Sequence, residues 1–354
     1  HMDATVFLPA LTAVLAGVFF VALLDQWQSR RRGYQLIWAL GILFFGIAVA
    51  CEAIAAAAGW DEPLYRVWYL TGAVWTAGWL GLGNAFLLGR TRFGFAFALC
   101  LFLAGLFTFL TARRNPEIYA DASTTAMLYF LVAGVLALAV SVETYFQNWR
   151  WPWMALLAVG GATLLSIVLM ALATLPAPGY ALDPETGVPT AELLPPELRL
   201  LTPFMNVSGA FALILGALFS AYVFMPKKRV LEYSIDPNQP GDQFMFNLLI
   251  APVAIVVNFV ASLPGALRAL FTGKINSRVP ATLLIAIGAF IPAVTDSLNR
   301  FGSTEWFQLG KLLSVVFLLA GFLVSTETFS EIRVPFTRIV LWGRRSEARE
   351  ANGS

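Results

Sequence analysis

The sequence predicts an all-α, polytopic transmembrane helix bundle: seven contiguous spans, then a broken or re-entrant segment, then two further spans. Three observations carry this. Of 354 residues, 58% are hydrophobic and 12% are charged, whereas a soluble domain carries about 25% charged residues. Apolar runs long enough to cross a bilayer core, about 20 residues each, recur along the whole length, at a mean hydropathy of +0.73. Lysine and arginine gather on alternate connections, the pattern expected when basic loops are retained on the cytoplasmic side.

The first run, Val6 to Leu24, follows Asp3 rather than a basic region and precedes Arg30, Arg31 and Arg32, so it reads as a retained helix and not as a cleaved signal. Tyr34 to Ala58 and Leu64 to Gly89 follow, separated by Asp61 and Glu62. Phe93 to Ala112 comes after Arg90 and Arg92, and Ser123 to Phe146 after a mixed stretch from Arg113 to Glu117. Trp151 to Leu175 comes after Arg150. A connection from Pro176 to Leu200 leads to the seventh run, Leu201 to Met225, which Lys227, Lys228 and Arg229 close. The basic loops alternate so that the N-terminus lies outside and the seventh span ends inside. Trp27, Trp60, Tyr65, Trp68, Trp149, Trp151, Trp153, Trp306 and Trp342 fall at span ends, where amphipathic rings favour the interface.

Three more apolar segments follow: Phe244 to Leu263, Pro280 to Thr295 and Trp306 to Phe329. Three further crossings would put the arginine-rich tail outside. Phe244 to Leu263 contains Pro252, carries Asn247 and Asn258 at membrane depth and leads through Pro264-Gly265 into a short amphipathic turn. It is therefore read as a broken, re-entrant or interfacial element, with a full tenth crossing as the alternative. The chain divides into a seven-helix bundle (1–229), a loop with the re-entrant segment (230–279), a C-terminal helical hairpin (280–329) and a basic tail (330–354).

Ionisable and amide groups at membrane depth are the candidate site residues, because each costs free energy there unless paired or wet. Glu52 stands out, set among alanines that let another helix approach. Arg66 is its nearest partner in sequence. The pair reads either as a proton or ligand site or as a structural bridge between two helices. Ala73, Ala77 and Gly81, followed by Asn84, form a close-packing face, with Trp75 and Trp79 on the other side as core or as pocket walls. Asn206 lies early in the seventh span. Glu143 and Glu327 sit in similar sequences, Val140 to Tyr145 and Val324 to Phe329, at inner ends. Asp296 and Lys311 lie toward the outer side, where Lys311 either snorkels or pairs with Asp296.

The only histidine is His1, and His1-Met2 reads as a cloning remnant. Histidine-ligated haem and zinc and Ser-His-Asp chemistry are thereby excluded. Cys51 and Cys100 sit in apolar runs as small hydrophobes. No phosphate loop, metalloprotease motif or nucleophile elbow occurs. The seventh run has no lysine for a retinal Schiff base. An enzyme is not the expected class, although carboxylate-only lipid chemistry stays open. No cofactor, metal or nucleic acid is expected.

Tyr34-Gln35-Leu36-Ile37-Trp38-Ala39-Leu40, Glu52, Arg66-Val67-Trp68-Tyr69-Leu70-Thr71-Gly72 and Trp79 together resemble the seven-helix membrane sensor region that opens some bacterial histidine kinases. The resemblance covers the second and third helices. It implies recognition of a small signal and, since no kinase module follows in this sequence, output through a separate protein partner. The expected location is the inner (plasma) membrane of a bacterium. Two functions follow as expectations: binding or transport of a small or lipid-like molecule, with proton coupling one form of it, or sensing through a partner.

The outer connection contains Pro176, Pro178, Pro184, Pro189, Pro195 and Pro196, so it cannot be one helix. It is read as a lid folded over the outer mouth by Tyr180, Leu182, Val188, Leu193 and Leu194, with a disordered connector as the alternative.

Overall fold

The computed structural model describes residues 4–184, 187–234, 241–272, 275–276, 278–299, 304–325, 331–333, 336–337 and 340–343. Its helices are α1 (Ala4–Arg30), α2 (Gly33–Ala58), α3 (Glu62–Trp68), α4 (Thr76–Leu87), α5 (Phe93–Arg114), α6 (Pro116–Tyr119), α7 (Ser123–Tyr145), α8 (Trp151–Leu172), α9 (Pro196–Phe224), α10 (Gly241–Phe271), α11 (Arg278–Asn299) and α12 (Thr304–Val324). A π-helical stretch, Tyr69–Trp75, joins α3 to α4 without a break. Eight helices, α1, α2, α5, α7, α8, α9, α10 and α12, are long and apolar enough to cross a membrane. The continuous run from Glu62 to Leu87 is of similar length, and α11 has a shorter apolar part, Arg278–Pro292. The chain is an integral multi-pass membrane protein. Its lipid-facing surface is apolar, as at Val135 and Leu138 of α7, 68% and 65% exposed.

Local chemistry sets the helix limits. The Asp61 side chain accepts from the Leu64 N–H at 2.8 Å and Pro63 occupies the first turn, so α3 starts there. Pro196 starts α9 in the same way. The π stretch widens the helix where the Thr76 hydroxyl donates to the Thr71 carbonyl at 2.7 Å and the Thr71 hydroxyl to the Val67 carbonyl at 2.7 Å.

Helices meet where side chains vanish. A Cβ on Gly81 would lie 2.7 Å from the Gly209 Cα, and one on Gly209 would strike the Ala77 and Gly78 backbone. The small-residue face of the third span thus packs directly on α9. One core gathers α3, α4, α5, α7, α8 and α9; a second joins α1, α2, α11 and α12, with Phe322 against Trp38 at 4.5 Å and Phe19 at 5.2 Å between ring centroids.

The ends of the bundle differ in charge. At the basic end α9 finishes, α11 begins and α10 finishes: Ala221, Tyr222 and Met225 pack with Ala266 and Val279, and the Arg278 guanidinium lies 4.3 Å from the Phe224 ring centre. Helix α12 runs antiparallel to α11, with Gly321 against Ala281 and Gly288 against Leu318, and returns to that end. There the Phe336 N–H donates to the buried Asp25 carboxylate of α1 at 3.0 Å.

The expected break at Pro252 and Pro264 is corrected. Helix α10 is continuous from Gly241 to Phe271, with both prolines on its exposed side. Its buried stripe, Ala251, Ala254, Asn258, Ser262 and Ala266, instead carries an extended chain. Asn258 Oδ1 accepts from Val230 N at 2.7 Å and Leu231 N at 2.9 Å, and its Nδ2 donates to the Leu231 carbonyl at 2.8 Å. Lys228 N donates to the Ser262 hydroxyl at 2.8 Å, and Ser234 N to Asn247 Oδ1 at 3.4 Å. These bonds satisfy backbone that lipid could not. Asn258→Leu removes the partner of two N–H groups on the exposed strap, together worth about 1–3 kcal/mol. Trypsin is therefore expected to cut after Lys227, Lys228 or Arg229 several-fold faster in that variant than in the parent; an unchanged rate contradicts the strap.

The described residues of the basic tail include a strand pair. Strand β1 (Glu331–Arg333) pairs antiparallel with β2 (Val340–Gly343), Ile332 opposite Trp342. The similarity between Val140 to Tyr145 and Val324 to Phe329 cannot be compared structurally beyond Ser325, because the second copy, with Glu327, lies outside the described residues.

Candidate functional site

Two constellations hold the polar groups of the bundle. The first is toward the acidic end. Glu52 lies about two helical turns before the end of α2, and Lys311 about two turns after the start of the antiparallel α12, so the two reach one depth. Lys311 Nζ contacts both Glu52 oxygens at 2.6 Å, with the side chains 12% and 10% exposed respectively. Trp68 Nε1 donates to Oε1 at 2.9 Å and Gln308 Nε2 to Oε2 at 3.0 Å, and the Phe307 ring lies 3.9 Å from the ammonium. Each carboxylate oxygen thus has two donors. A net-neutral, fully bonded pair answers the cost of an intramembrane charge.

This corrects two pairings. Glu52 is held by Lys311 and not by Arg66, and Lys311 is turned to α2; the side chain of Asp296, its other expected partner, lies outside the described ones. Arg66 forms an ion pair with Glu62 at 2.7 Å, one turn away, and donates to the Met170 and Ala173 carbonyls. These carbonyls lie at the end of α8, where i+4 donors run out and Met170 keeps only a bond from the Ala173 N–H at 3.3 Å, and a guanidinium both bonds them and offsets the helix dipole.

The π stretch sits directly beside this cluster. Below it Trp75 Nε1 donates to the Ser166 hydroxyl at 2.8 Å and Trp79 Nε1 to the Thr163 hydroxyl at 3.1 Å, while Phe44 packs edge-on to both rings. The two tryptophans fasten α4 to α8 as core. Asn84, buried, donates to the Leu213 carbonyl at 2.9 Å and fixes α9 beside Gly216. Asn206 is half-buried on α9. Among the described hydrogen bonds it joins neither constellation. Glu143 Oε2 is buried on α7 without a hydrogen-bond partner among the described residues.

The acidic connection is docked over this end. Tyr65 OH donates to the Thr190 carbonyl, Leu182 bridges Pro189, and Leu194 is buried. Tyr180 packs on the core, whereas Leu182 is exposed. Tyr65 and Trp151 are fully buried and the half-buried Trp68 bonds Glu52, so these three rings pack inward.

The second constellation was not foreseen. At the basic end the connections α1–α2, α4–α5 and α7–α8 surround an open cleft of about 820 Å³. Arg30, Arg32 and Arg90 line it together with Tyr34, Trp149 and Trp153. No carboxylate is among its lining residues. A second cavity, of about 50 Å³ between α9, α10 and α11, is wholly apolar and too small for a ligand. The signal in the sequence is that the three arginine-bearing connections and both tryptophans fall on one side of the bundle, a pattern that topology markers and interfacial anchors also produce. No family model, no curated protein and no solved structure matches this chain, so the site stands on its own geometry.

Proposed function

We propose that the chain binds a lipid-like amphiphile in the cleft at its basic end, and that this end faces the cytoplasm. The cleft carries the reading. Its volume lies in the range of small-molecule sites, about 300–1,000 Å³. It pairs rings and aliphatic groups with polar heads at the level where an amphiphile's two halves separate. The Glu52–Lys311 pair enters as a lock between α2 and α12, since a carboxylate that accepts four hydrogen bonds from three side chains offers no open place for a substrate or an exchanging proton.

The same-end placement of the finish of α9 and the start of α11 supports nine crossings, with α10 and its strap entering and leaving on one side. On this topology the N-terminus is outside. A fluorescent protein fused after Ser354 is expected to glow and a periplasmic phosphatase fused there to be inactive; the opposite pair of results overturns the orientation.

Sensing through a partner is the second reading, favoured by the π stretch and the docked loop at the acidic end. The two readings place the ligand at opposite ends. A photoactivatable alkyl probe is expected to label peptides containing Arg32, Arg90 or Trp153. Labelling confined to residues around Tyr65 and Thr190 would move the site to the acidic end and favour the sensor.

A further inference from the structure

We infer that α10 lies flat in the lipid–water interface at the basic end of the bundle, with its outer face set among the acyl chains of that leaflet and its strap in water. The inference rests on the nine-crossing topology, in which α10 begins and ends on one side, and it is independent of what the cleft binds. By length and composition α10 could cross a bilayer. Its orientation is decided by what its faces carry.

At about 3.6 residues per turn, three faces can be told apart. Ala251, Ala254, Asn258 and Ser262 form the buried stripe beneath the strap. About a quarter turn away, Ile255, Phe259, Leu263 and Ala266 meet the bundle. Among the described apolar contacts they reach α9 only over Ala221–Met225 and α11 only over Val279–Leu283. A stretch of α10 about 16 Å long therefore crosses the ends of two spans instead of running beside them. Opposite the strap, Phe246, Leu249, Val253, Val256, Val260 and Leu267 recur with the helical period and are exposed, Leu249 by 74%.

The strap opposes an upright α10. It is bonded to the helix from Ser262, at Lys228, to Asn247, at Ser234, which is about 22 Å along the helix axis. Upright, it would run through most of a hydrocarbon core about 30 Å thick. The exposed side chains of Lys228, Arg229 and Glu232 would run with it, and lipid solvates neither such charges nor the outer edge of an extended chain. The outer face opposes the other extreme, an α10 projecting into water, because that would wet a continuous row of large apolar side chains. Lying flat meets both demands at once: strap to water, one flank to the ends of α9 and α11, and outer face to the acyl chains. An amphipathic helix in this position sinks its apolar face about 5–10 Å into the boundary between headgroups and chains. The occupant of the outer face is thus the leaflet's own acyl layer, matched by a face with no polar side chain among these six residues.

Spin labelling of the full chain in phosphatidylcholine vesicles tests this. Leu249, Val256, Val260 and Leu267 are replaced by cysteine one at a time; Cys51 and Cys100 are buried, and the parent supplies their background. Collision rates with oxygen and with a water-soluble nickel chelate report the depth of each label. All four are expected at one shallow depth, about 5–10 Å, with labels at Arg229 and Glu232 open to nickel and a label at Val135, midway along α7, far deeper. An upright α10 would spread the four labels over about 27 Å; that spread overturns the inference and the nine crossings together. Four labels open to nickel would place α10 in water, overturning the inference while the nine crossings, read separately by the fusions after Ser354, stand. Four labels closed to both reagents would mean that protein covers the face, which overturns it as well. The four positions are redundant, so a variant that fails to fold leaves the test intact.

Discussion

Glu52→Gln alone is expected to destabilise the protein by about 3–5 kcal/mol, and Lys311→Met alone by a similar amount, because each leaves the other charge without its counter-ion at membrane depth. The two losses are not expected to add. In Glu52→Gln/Lys311→Met both charges are gone, Trp68 keeps an amide oxygen to bond, Gln308 can turn its amide so that its otherwise unpartnered Oε1 accepts from the new NH2, and most of the lost stability returns. Thermal unfolding in detergent, followed by fluorescence-detected chromatography, reads all three variants. A double variant that is as unstable as the sum of the singles would show that Glu52 and Lys311 do separate work, and the lock would be the wrong description.

The second large effect is expected at the crossing of α4 and α9. Gly209→Ala places a methyl group against the backbone of Ala77 and Gly78, and backbone cannot rotate away as a side chain can. Forced separation of two packed helices costs about 1–3 kcal/mol or more, and here it also stretches the bonds from Asn84 to α9. Gly134→Ala is the control. Nothing lies within 4 Å of a Cβ there, so alanine's better helix propensity, about 0.5–1 kcal/mol, leaves stability equal or slightly raised. Equal behaviour of the two variants in the same thermal assay would contradict the direct backbone contact.

The helix pattern was legible because hydrocarbon imposes it: each of the ten apolar segments falls on a helix or, for Leu64 to Gly89, on the continuous run from α3 to α4, although α1 and α10 extend further than Leu24 and Leu263. Asp25 shows the limit of that reading. Ending the first span at Leu24 left the acid in a loop, whereas α1 continues to Arg30 and carries it, buried, to the tail. Glu52 was legible as a group in need of a partner, but its partner was not, because Lys311 is 259 residues away and only the packing of α12 on α2 brings them together. A nearest-in-sequence rule chose Arg66, whose task is to cap α8. Matched depth on antiparallel helices would have been the better signal, strengthened by Gln308 and Lys311 one turn apart on one face. Asn247 and Asn258, expected to need partners at membrane depth, bond the backbone of the strap. The cleft was hidden for another reason: its wall comes from three connections, and connections show in sequence as charge and aromatic content without their mutual arrangement.

Electron cryomicroscopy of the full chain in lipid nanodiscs tests the central claim most directly. The account predicts an elongated density in the cleft, its head between Arg32 and Arg90 and its tail passing Trp153. A cleft filled only with water, with the bound molecule instead beneath the docked loop near Tyr65, would contradict it.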